Sequence, residues 1–85
     1  MSSSVETYRK KYKILEGLWC TFEVTKLKDD PRPITYEVNL EYDEPDTEKS
    51  FVTPFSLARS DFWQAYCDKY ETTIMLTGMK VVCLG

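Results

Sequence analysis

The sequence predicts a small single-domain α+β fold. An antiparallel sheet of three to five strands carries two helices, in the order α-β-β-β-α-β, with the last element a strand or a hairpin. Three observations carry this expectation. Phe62, Tyr66 and Tyr70 recur at four-residue spacing, and Trp63 and Cys67 widen that stripe into the apolar face of a helix. Residues 18–25 and 34–42 alternate apolar and polar side chains with period two, as half-buried strands do. Near the start of the chain, Val5, Tyr8, Tyr12 and Leu15 fall at helical intervals.

The first helix is expected at about residues 4–16. Ser3 would cap it, with Glu6 reaching back to complete a capping box. Gly17 would end it in the left-handed C′ position. Arg9, Lys10, Lys11 and Lys13 would lie on its outer face, toward the negative end of the dipole. A weak alternation of Tyr8, Lys10, Tyr12 and Ile14 leaves a strand as the alternative.

From Leu18 the period is two. Leu18, Cys20, Phe22 and Val24 share one face, and Trp19, Thr21, Glu23 and Thr25 the other. Pro31 and Pro33 make residues 28–33 a loop. The clearest strand follows, with Ile34, Tyr36, Val38, Leu40 and Tyr42 opposite Thr35, Glu37, Asn39 and Glu41. These two strands should pair antiparallel with one face wet. Residues 43–48 form an acidic turn or a mobile loop. Phe51-Val52-Thr53 reads as a short edge strand ended by Pro54. Ser60–Glu71 is the second helix, capped by Ser60 with Asp61 at its positive end. Residues 73–84 form a hairpin turning at Thr77-Gly78, or one strand with a glycine bulge.

The order of the first five elements resembles that of the double-stranded-RNA-binding domain, in topology alone. That family presents a lysine-rich start of its second helix to phosphates. Ser60-Asp61-Phe62-Trp63 stands there in this chain, acidic and aromatic, so the resemblance does not imply the family's function.

At 85 residues the chain is expected to be one compact domain spanning 1–85, with residues 1–3 disordered. A net charge of −3 argues against a general nucleic-acid binder. The charge is uneven. Residues 1–28 hold six Lys or Arg against three acids, whereas residues 29–50 hold two against eight. Cys20, Cys67 and Cys83 are odd in number and widely spaced, and no signal-like apolar region precedes them. They point to reduced thiols in a cytoplasmic setting. No stretch is long and apolar enough to span a membrane.

Histidine is absent, which removes the usual general base, the common nucleophile–histidine pairs and most zinc sites. Three glycines do not make a phosphate-cradling loop. No cofactor, no metal and no catalytic activity are expected. The acidic set Glu37, Glu41, Asp43, Glu44, Asp46 and Glu48 is first of all a solvated surface, and functionally a docking face for a basic protein. Trp19 falls on the polar side of its strand, as an aromatic anchor if bare. A tryptophan in so small a domain is more often covered, so core is the favoured reading. Arg9, Lys10, Lys11 and Lys13, interleaved with Tyr8 and Tyr12, have the composition of a nucleic-acid contact, though a solvated helix face explains them as well.

The expected function is a small non-catalytic protein-binding module. Its composition is that of a viral or phage accessory protein, an inhibitor or adaptor of a host protein acting through its acidic surface. The alternatives are a nucleic-acid-binding accessory using the basic first helix, and a subunit of a homo-oligomer such as a homodimer.

Overall fold

The first element is a strand, not a helix. In the computed structural model, which describes residues 4–43, 50–77 and 80–83, β1 runs Val5–Leu15 and pairs antiparallel with β2, Leu18–Leu27. Burial along β1 alternates, with Glu6, Tyr8, Lys10, Tyr12 and Ile14 turned inward. The four-residue spacing of Tyr8 and Tyr12 satisfies period two as well as it satisfies a helix. Gly17, with φ 76°, supplies left-handed backbone, which a helix end and a strand reversal both require. Pairing along all of β2 decides between them, and the Val, Thr, Tyr and Ile residues of β1 suit a strand. Ser3, the expected cap, lies outside the described residues.

β3, Pro33–Tyr42, pairs antiparallel with β2, so the sheet has the order β1-β2-β3. β2 is its centre, and Cys20, Phe22 and Val24 are fully buried there.

Among the described residues there is one helix, α1, Val52–Tyr70. It takes in the expected strand at Phe51-Val52-Thr53 and starts well before Ser60. Pro54 does not oppose this, because the first-turn amides of a helix have no intrahelical acceptor and proline forfeits nothing there. The Phe51 carbonyl accepts from Phe55 N–H at 2.9 Å, and Ser50 Oγ lies 3.5 Å from Val52 N. No side chain of the cap residue Phe51 closes this end. At the far end Glu71 takes φ 52°, and its N–H bonds to Cys67 O. After α1, β4 (Ile74–Thr77) pairs antiparallel with β5 (Lys80–Cys83). Of the two readings of this tail, the hairpin forms, although its connection at 78–79 lies outside the described residues.

The two-helix arrangement in the order α-β-β-β-α-β is therefore corrected to β-β-β-α followed by a strand pair. The likeness in order to the double-stranded-RNA-binding domain goes with it.

The core is aromatic. Phe62, Trp63 and Tyr66 of α1 are buried against the sheet. Phe62 stacks on Phe22 at 5.3 Å between ring centres, Tyr66 meets Tyr8 edge-on at 5.8 Å, and Trp63 lies 4.9 Å from Tyr36. A helix is about 10 Å wide and strands lie about 4.8 Å apart, so one helix covers about two strands. α1 sits over β1 and β2. Most of the inward face of β3 is left open: Ile34 is 53% exposed, Val38 37%, Leu40 38% and Tyr42 53%. Tyr36 alone is half-buried there, beside Trp63.

Burial also raises the Cys20 thiol, to about 11. Alkylation of the native protein should spare Cys20 and reach the half-buried Cys67 faster, whereas both label on unfolding. Peptide mapping by mass spectrometry checks this. Rapid native labelling of Cys20 would show that α1 does not close over β2.

Candidate functional site

The outward face of the sheet gathers most of the charged residues singled out from the sequence. The strand register places them in rows. Arg9, Glu23 and Glu37 lie across one row, and Lys13, Trp19 and Glu41 across another. Arg9 and Lys13 stand on one edge strand, Glu37 and Glu41 on the other, and Trp19 and Glu23 lie between them.

Trp19 is bare rather than core, at 38% exposure, because α1 covers the opposite face. Lys11 Nζ lies 5.2 Å from its ring centre and 3.2 Å from Glu41 Oε2, so the lysine crosses the tryptophan to reach β3. Arg9 pairs with Glu23 at 3.6 Å, and Lys13 with Glu16 at 2.5 Å. The Lys13 bond holds the Glu16 carboxyl below its ordinary value. These exposed pairs add little stability each, but they occupy Arg9, Lys11 and Lys13.

Lys10 separates from its neighbours. It turns inward, half-buried, with Nζ 5.8 Å from the Tyr12 ring centre. The expected outer helix face of Arg9, Lys10, Lys11 and Lys13 is thus split across the two faces of a strand.

On β3, Glu37, Glu41 and Asp43 are exposed. Glu37 stands directly opposite Glu23, a like-charge pair across the ladder. Arg9 serves Glu23, whereas Glu37 has no ion-pair partner among the described residues. Asp43 anchors the end of the row, its N–H donating to Gly17 O at 2.8 Å. Glu44, Asp46 and Glu48 lie outside the described residues.

Sequence reasoning missed the charged pair on the inward face. Lys26 is 3% exposed, and its ammonium donates to Glu6 Oε2 at 2.7 Å and to the Leu27 and Lys28 carbonyls at 3.0 Å each. It sits 4.4 Å from the Tyr70 ring centre. The signal was available: Lys26 continues the alternation of Cys20, Phe22 and Val24. Tyr12 is more than an apolar residue: its hydroxyl donates to Asp61 at 2.6 Å, tying β1 to α1. Burial first, then this bond, push the Tyr12 hydroxyl far up. Among the described residues no three His, Cys, Asp or Glu side chains come together as a metal site.

No family model, no curated protein and no solved structure matches this chain. No described helix is long and apolar enough to cross a membrane.

Proposed function

We propose that this protein is a non-catalytic binding module that engages a basic partner protein through β3. One observation carries the reading: β3 is an edge strand with exposed carboxylates on one face and uncovered apolar side chains on the other. Apolar area drives association, and the carboxylates select and steer a cationic partner. Trp19, one strand in, is available as an anchor once Lys11 moves aside. Composition and the wide cysteine spacing favour a cytoplasmic setting and an inhibitor or adaptor role of the viral or phage accessory kind. The nucleic-acid reading weakens, because Arg9, Lys11 and Lys13 are each engaged by a carboxylate.

Affinity capture with three baits tests this: wild type, Glu37→Lys/Glu41→Lys, and Arg9→Glu/Lys13→Glu, each at low and high salt. The same partner should be recovered by the wild type and the β1 variant. It should be lost from the β3 variant and from the wild type at high salt. Loss from the β1 variant alone would move the interface to β1 and make the partner acidic or a nucleic acid.

A further inference from the structure

On the footing of that binding role, we infer that the partner binds β3 by strand addition, donating an extended segment that alternates basic and apolar residues. Among the described residues β3 has β2 on one side and no strand on the other, so a row of backbone donors and acceptors faces outward along that edge. An added strand completes that ladder, as in other edge-recognition systems. Its side chains must then alternate with those of β3.

The two faces of β3 set the chemistry of each alternate position. Toward α1, the neighbours are Val38 and Leu40, each more than a third exposed, so this face asks for apolar side chains. On the other face, the neighbours are Glu37 and Glu41, the second of which Lys11 already reaches at 3.2 Å. Glu37 faces Glu23 across the ladder and has no cation of its own among the described residues, so a basic side chain beside it relieves a repulsion already present.

A second copy centred on Asn39 fits this edge poorly. Two β3 strands paired about a two-fold axis at Asn39 would set Glu37 against Glu41 of the other copy. The β1 edge of a second copy offers cations already held by Glu23, Glu41 and Glu16.

The test uses the full chain and three synthetic peptides of the length of β3, 10 residues. The first alternates lysine and valine. The second has the same composition in two blocks. The third is the first with its backbone amides N-methylated along both edges, which removes the ladder donors. Titration calorimetry gives the affinities, and amide hydrogen exchange locates the contact. The alternating peptide should bind at least about tenfold more tightly than either control, the equivalent of about 1.4 kcal/mol. It should slow exchange on β3 and leave β1 unchanged. Glu37→Lys/Glu41→Lys and Val38→Thr/Leu40→Thr should each weaken it. Equal binding by all three peptides would overturn strand addition and leave a charge-only docking face, so the binding role would survive. Protection on β1 would also overturn strand addition, as would a dimer in sedimentation that the peptide fails to dissociate. Absence of binding by every peptide would sink both readings.

Discussion

A Tyr66→Ala variant should lose about 3–5 kcal/mol of stability. Tyr66 is fully buried in the C-terminal half of α1 and touches the rings of Tyr8, Trp63 and Tyr70. Its hydroxyl donates to Pro31 O, so one side chain joins α1, β1 and the loop before β3. Truncation opens a cavity that the surrounding rings cannot refill, because they are held by one another. Chains of this length are stable by roughly 4–13 kcal/mol, so the loss is a large part of the total. The melting midpoint should fall by about 4–8 °C for each kcal/mol. Tyr66→Phe keeps the ring and forfeits the Pro31 bond, at about 1 kcal/mol. Thermal and urea unfolding of both variants separate packing from hydrogen bonding. Coincident curves for the alanine variant and the wild type would mean that α1 does not bury this face.

The second large effect belongs to Lys26. Lys26→Met keeps most of the stem and removes all three donors, leaving the Leu27 and Lys28 carbonyls without their ammonium. The expected cost is about 3 kcal/mol, at the low end for removing one partner of a buried pair, because Glu6 is itself partly exposed and water can replace the lysine there. The variant should also respond differently to acid. The Lys26 bond holds the Glu6 carboxyl below its ordinary 4.5. A depressed carboxyl contributes stability that is fully present above its unfolded value and lost as pH falls through the folded one. The wild type should therefore lose more stability than the variant between about pH 5 and pH 3. Urea midpoints across that range give the comparison, and parallel acid limbs would show that the Glu6 contact contributes nothing.

What the sequence disclosed depended on whether one period alone explained each stretch. β2 and β3 alternate without rival, so their faces, and with them the outward placement of Glu37 and Glu41, could be read directly, whereas the exposure of Trp19 could not, because a second helix was expected to cover it. β1 could not. Tyr8 and Tyr12 fit both periods, Gly17 suits both endings, and Val5 and Leu15 lie off the alternating set. Reading β1 as a helix hid the fact that Arg9, Lys11 and Lys13 share a face with Glu37 and Glu41. At Phe51-Val52-Thr53 local β-propensity yielded to α1, which carries these residues into its first turn. The open face of β3 had no sequence signature. It follows from one helix being too narrow for three strands, and the sequence suggested two helices.

That open flank bears on how copies of the chain tolerate each other when crowded. A strand with a bare edge and an apolar face is a template for stacking, and natural proteins protect such strands with charge. Glu37 and Glu41 serve here as gatekeepers: each neighbour that approaches along β3 brings its own carboxylates. On the binding role proposed above, the carboxylates that would select a partner are the same ones that hold copies of the chain apart.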